Sequence, residues 1–147
     1  MGRMIFVLAV GVSFWISANL KIQGAEGVDA KSLEGSWVCV SVETGGERKP
    51  EEVAKQLRLT LTADRYKTEL GEQLLFDSTY TVDLKKTPAQ IDIIGTEGEF
   101  KGKAALGLLK LDGDTLTMCY VMPGGERPSG FESPKGSGVT LVVWRKK

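Results

Sequence analysis

Apolar and polar side chains alternate with a period of two in one short run after another, and no other feature of this chain narrows its fold as much. In "LRLTLTA", residues 57–63, Leu57, Leu59 and Leu61 interleave with Arg58, Thr60 and Thr62. A strand sends successive side chains to opposite faces, so the pattern marks a strand with one face buried. "LLFDSTYTVDL", residues 74–84, sets Phe76, Ser78, Tyr80 and Val82 on one face and Asp77, Thr79, Thr81 and Asp83 on the other. "AALGLLKL", 104–111, meets "DTLTMCYVM", 114–122, across Asp112-Gly113. A two-residue Asp-Gly loop is a strong hairpin signal, because glycine accepts the positive φ of a type I′ turn. Leu116, Met118, Tyr120 and Met122 share one face of the second strand of that hairpin.

Four further runs read as strands: "GSWVCVSVE" (35–43), "RYKTEL" (65–70), "IDIIGT" (91–96) and "VTLVVWRK" (139–146). One helix is expected at "PEEVAKQ", 50–56, where Pro50 suits the first helical position and Glu51 and Glu52 suit the first turn. The total is eight strands joined mostly by short turns. Consecutive antiparallel pairing is the simplest topology for them. Eight such strands can close into an up-and-down barrel, which removes exposed edges. A two-sheet sandwich is the rival arrangement. With 147 residues, 41% hydrophobic and 26% charged, the chain has the size and apolar content of a single packed domain. No internal repeat or linker divides it.

The first 25 residues read differently. Arg3 precedes the apolar run "MIFVLAVGVSFWI", 4–16, which matches the basic and hydrophobic regions of a secretory signal. The run is shorter than the roughly 20 residues a membrane span requires. The expectation is therefore a signal peptide over 1–25, cleaved near Ala18 or Ala25, and a barrel domain over 26–147, exported to the periplasm, cell envelope or exterior. Trp15 belongs to the signal and has no part in the fold. Residues 26–147 hold 17 basic and 19 acidic residues, a net charge of about −2. No basic excess is available to bind nucleic acid.

The chain contains no histidine. The usual general base near neutral pH, the Ser-His and Cys-His nucleophile pairs and the commonest metal ligand are thereby absent. Asp112 with Asp114, and Glu97 with Glu99, lack the ligand number of a calcium loop and read as turns and solvated faces. The expectation is a non-catalytic protein with no cofactor and no metal. Cys39 and Cys119 each fall inside a strand-like run. Export permits a disulfide between them, and two separate buried thiols are the alternative.

Two features resemble the lipocalins. Gly35-Ser36-Trp37 opens the first strand after "KSLE", and lipocalins carry Gly-x-Trp at that place, with the Trp closing one barrel end. They also pack a basic residue from the last strand over that Trp, and Arg145 is the candidate here. More closely, "LEGSWVCVSVETGGERKPEE", "TPAQIDI", "KGKAALGLLKLDGDTLTMCY" and "PGGERPSGFESPKGSG" resemble a lipocalin-like domain family of unknown function found in planctomycete bacteria. The resemblance implies a lipocalin-like barrel and an exported product, but no activity. Lipocalins as a class bind small apolar molecules, and a small apolar or amphipathic ligand is the expectation that fold analogy supplies.

Six residues are candidates to contact such a ligand. Phe76, Tyr80, Met118 and Tyr120 face inward by alternation, and can line a cavity or fill the barrel. Arg127 and Phe131 lie in "PGGERPSGFESPKGSG", 123–138, which holds three prolines and five glycines. They can grip a ligand at the barrel mouth, or the segment can be a shaped connector with Phe131 tucked into the barrel end and Arg127 bonded to carbonyls or a carboxylate. A filled barrel would suit a structural or protein-interaction module of the envelope.

Overall fold

The computed structural model describes residues 30–147. The signal segment expected over 1–25, Trp15 included, lies outside the described residues. The strands follow the alternating runs closely. They are β1 (Gly35–Thr44), β2 (Glu47–Arg48), β3 (Leu57–Leu61), β4 (Arg65–Leu70), β5 (Gln73–Asp83), β6 (Ala89–Gly95), β7 (Ala104–Asp112), β8 (Thr115–Val121) and β9 (Thr140–Lys146). Helix α1 (Ala30–Leu33) precedes β1, and α2 (Glu51–Gln56) occupies the expected place after Pro50. The additions to the sequence reading are α1, a 3₁₀ turn at Gly98–Phe100, and β2, a two-residue arm folded back on β1 across Gly45-Gly46.

Each strand from β3 to β9 pairs antiparallel with the next, β1 pairs with β3, and β9 returns to β1. Eight strands, β1 and β3–β9, thus close into an up-and-down barrel, with β2 as an appendage. The sandwich is excluded by the β1–β9 pairing, which runs from Trp37 opposite Lys146 to Thr44 opposite Thr140. A register shift between Cys39 and Ser41 lies midway along it. Such a bulge bends a strand and increases its twist, which lets β1 serve β3 with its first residues and β9 along its length.

The inward faces form one core. Trp37, Leu59, Leu116, Met118, Val142 and Trp144 are its most completely buried members. Burying side chains of this size stabilises by roughly 1.5–3 kcal/mol each. Trp37 and Trp144 concentrate that burial where α1 covers the barrel. Trp37 Nε1 donates to the Leu33 carbonyl at 2.9 Å, so the indole satisfies its polar atom on the helix that caps it.

The residue over Trp37 is Lys146, not Arg145. Lys146 lies directly opposite Trp37 in the β1–β9 ladder, and its Nζ sits 4.7 Å from the ring centroid. Arg145 is one residue off and therefore points outward, exposed. A single step along a strand exchanges faces, and the sequence alone does not show which step faces the ring.

A second, smaller core lies outside the barrel. Leu108, Cys119, Val121 and Val139 are buried on the outer face, with Phe131 and Leu141 packed against them. Segment 123–138 covers this patch. Arg127 donates from Nη1 to the carbonyls of Ile91 (3.1 Å) and Gly107 (2.8 Å), and from Nη2 to Asp92 Oδ1 (2.7 Å). Lys110 Nζ stands 4.6 Å from the centroid of the Phe131 ring. The far end of the segment is fastened to the β1–β2 turn. Gly46 N–H donates to Ser133 Oγ, and Gly136 N–H to the Gly45 carbonyl. Gly46 has φ +87°, and a Cβ there would lie 2.9 Å from Lys135 Cα, so glycine is required at that approach.

Cys39 and Cys119 are free, buried thiols. Cys39 belongs to the barrel core and Cys119 to the outer patch. They stand on β1 and β8, with β9 between them. Two interstrand spacings of about 4.8 Å exceed the roughly 7 Å Cα separation a disulfide tolerates. The disulfide alternative is thus excluded.

Candidate functional site

The two ends of the barrel differ. The end holding Trp37 and Lys146 is closed by α1. Lys146 Nζ donates to the carbonyls of Ser32 (3.1 Å) and Glu34 (2.6 Å), satisfying backbone acceptors that the short helix leaves open. The opposite end holds a cavity of about 430 Å³. That volume falls in the lower part of the range of small-molecule sites, about 300–1,000 Å³.

The buried wall of the cavity consists of Tyr66, Ser78, Ile93 and Ala105, with half-buried Tyr120 beside them. Tyr120 fits because its opposite neighbour on β7 is Gly107. A Cβ on Gly107 would lie 2.8 Å from that of Tyr120 and 2.4 Å from the Cys119 carbonyl oxygen. The rim is apolar and exposed: Leu74, Leu75, Phe76 and Met122 all line it at 38–51% exposure. Leu74 and Phe76 flank the register shift between β4 and β5 at Thr68/Glu69. The remaining edge is the segment after β6, where Thr96, Glu97, Glu99, Phe100 and Lys103 complete the mouth.

Electrostatics separates wall from rim. The Tyr66 phenol is held well above its ordinary pKa by burial, with a lesser contribution from Tyr120. The Tyr120 phenol is pushed up to about 12, again chiefly by burial, with Cys39 adding to it. Burial also raises the Cys39 thiol to about 11. The three groups thus stay protonated and neutral near pH 7. The charged lining residues are Asp77, Glu97, Glu99 and Lys103, none of them buried. Asp77 is engaged by Arg65 in an ion pair, and its backbone carbonyl accepts from Thr96 Oγ1 at 2.6 Å.

The sequence candidates separate into three groups. Phe76 and Tyr120 line the cavity, although Phe76 stands at the exposed rim. Tyr80 and Met118 face inward but do not reach the cavity. Met118 is fully buried, and the Tyr80 hydroxyl donates to the Thr62 carbonyl at 2.7 Å, with the ring edge-on to Tyr66 at 6.4 Å. They lie too far toward the filled half of the barrel. Arg127 and Phe131 are on the outer wall rather than at the mouth, because segment 123–138 leaves the mouth and folds down over β6–β8. From Arg127 onward the segment packs on the outer wall, as expected for a shaped connector, while Pro123 at its start lines the cavity.

Sequence reasoning passed over Tyr66, Leu74, Leu75 and Phe100, and read Glu97 and Glu99 only as a solvated turn. Phe100, an aromatic in an otherwise polar turn, was the available signal. The acids Glu97 and Glu99 occupy solvated positions and also edge the mouth.

Among the described residues, no group of three or more Cys, Asp or Glu side chains is placed to hold a metal ion. Among them, too, no helix is long and apolar enough to cross a membrane. Fold and cavity together define a class: a closed eight-stranded antiparallel barrel, plugged at one end and open to a small cavity at the other, consistent with a lipocalin-like barrel. No family model matches the chain. No curated protein and no solved structure shows significant similarity to it either.

Proposed function

We propose that this protein is an exported, non-catalytic binder of a small apolar or amphipathic molecule, held at the open end of the barrel. The observation that carries the reading is the cavity of about 430 Å³, with its buried aromatic wall and its exposed ring of Leu74, Leu75, Phe76 and Met122. Soluble proteins seldom expose neighbouring large apolar side chains without a use for them. A concave, mostly apolar site with a few hydroxyls has the make-up of a ligand pocket. Membership of the lipocalin-like planctomycete family is part of this proposal and rests on the sequence stretches quoted above. Export rests on the Arg3-led apolar run, and no nucleic-acid partner is proposed.

Native mass spectrometry of protein recovered from its own source tests the binding role. A retained small molecule supports it, and bare protein that also takes up no apolar probe contradicts it. A reporter fused to residues 1–25 tests export, and a reporter that stays in the cytosol counts against it.

A second reading, a protein-interaction module of the envelope, draws on the same exposed rim and on the filled lower half of the barrel. A barrel that binds no small molecule but loses a protein partner when Leu75 and Phe76 become serine would favour it.

A further inference from the structure

We infer that the cavity selects a neutral lipophile carrying a hydroxyl or carbonyl, bound with that polar end inward, and rejects the corresponding carboxylate. The inference rests on the ligand-binding role proposed above and specifies its chemistry.

Three observations converge on it. The first is the polar equipment of the buried wall, which consists of hydroxyls. Tyr66, Ser78 and Tyr120 line it. These hydroxyls can donate to and accept from a ligand hydroxyl, or donate to a ligand carbonyl.

The second is the absence, among the described residues, of a cation on the buried wall of the cavity. Among the described residues, the buried polar side chains are Thr68 and Ser78, and no lysine or arginine is buried. A carboxylate carried to the wall would be an unpaired buried charge, which costs several kcal/mol. Neighbouring phenols whose own ionisation is suppressed can donate to an alcohol or ketone without any charge having to be balanced.

The third is the rim. No arginine lines the cavity, and the lining residue Asp77 is engaged by Arg65. That leaves Glu97 and Glu99 against Lys103 on the lining. A ligand placed the other way round, carboxylate at the mouth, would meet an acidic excess. Leu74, Leu75, Phe76 and Met122 instead offer apolar contact to a hydrocarbon portion near the opening.

The test is competition against a neutral polarity-sensitive dye, Nile red, on the full chain, using decanol, decanoate and decane at pH 8. Decanol is expected to displace the dye with a dissociation constant at least about tenfold lower than decanoate, a difference of about 1.4 kcal/mol. Decanoate should gain affinity as the pH is lowered and it protonates. Y66F and Y120F should each narrow the preference for decanol over decane several-fold, because decane carries no group for a phenol to bond and a mere change of cavity shape would move both compounds together. Decanoate binding as tightly as decanol at pH 8 would overturn the inference and leave the ligand-binding role standing. Bound dye displaced by neither decanol nor decanoate would do the same. Dye that does not bind at all would overturn both.

Discussion

The Lys146 ammonium rests 4.7 Å above the Trp37 ring while donating to the Ser32 and Glu34 carbonyls, so one side chain joins the last strand, the first strand and the capping helix. Cation–π attraction contributes about 0.5–2 kcal/mol, and hydrogen bonds from a charged donor about 1.5–3 kcal/mol. Lys146→Ala is therefore expected to lower unfolding free energy by about 1–3 kcal/mol in a urea titration. Arg145→Ala, one residue away but outward and exposed, should fall within about 0.5 kcal/mol of the parent. Equal losses at both positions would contradict the assignment.

Trp37 itself is 1% exposed. Trp37→Ala removes a large core side chain and leaves the Leu33 carbonyl without its donor, and a loss of about 3–5 kcal/mol is expected. A near-neutral effect would mean that the barrel end is not closed by this ring.

How far the sequence anticipated this arrangement can be seen at the same spot. Period-two alternation, β-branched runs and turn residues together were enough to locate all eight barrel strands, because a half-buried strand writes its faces and its ends into its residues. It was not enough to choose between Arg145 and Lys146. That choice depends on which residue of β9 stands opposite Trp37, a fact of register between chain ends more than 100 residues apart. The same limit applies to the cavity. Phe76, Tyr80, Met118 and Tyr120 all face inward, yet only Phe76 and Tyr120 reach the open half. Position along the barrel axis follows from the stagger of neighbouring strands and leaves no mark in local composition. Arg127 and Phe131 were legible as loop residues, but glycine and proline specify turns, not the direction the loop takes. Tyr66 was missed because "RYKTEL" has one large apolar side chain per turn of alternation and looks unremarkable alone.

Arg127 ties the connector to the barrel through three hydrogen bonds on β6 and β7. Arg127→Ala should cost about 1–2 kcal/mol globally, since the guanidinium is only partly buried. Its larger effect should be local. Limited proteolysis should cut within 123–138 in the variant and spare the parent. Cleavage at the same rate in both would place the loop's restraint elsewhere.

Cys39 and Cys119 should behave as two inert thiols. Intact mass under non-reducing conditions should show no two-dalton loss, and alkylation should require denaturant. A mass two daltons lower in the native protein would refute the placement of the two thiols on opposite sides of the barrel wall.

Buried acids that ionise late make stability fall on the alkaline side. Cys39, raised to about 11, and Tyr120, raised to about 12, are held protonated in the folded state by burial. In the unfolded chain they release protons at lower pH. Above their ordinary values the unfolded state therefore binds fewer protons, and stability decreases as pH rises. Tm should stay level from neutrality to about pH 8.5 and then drop progressively toward pH 12. The double variant Cys39→Ala, Tyr120→Phe should show a shallower drop over that range. An unchanged alkaline slope would remove these two groups from the explanation.

The central claim is an open-ended barrel whose cavity takes up a small lipophile, and a fluorescence titration with Nile red tests it most directly. Ala105 is buried in the cavity wall, so Ala105→Trp fills the space, and cooperative unfolding of the variant shows that its barrel is intact. The account predicts saturable binding of one dye per parent chain and loss of at least about tenfold in affinity in the folded variant. Absence of saturable binding by the parent, or equal binding by the two proteins, would contradict it.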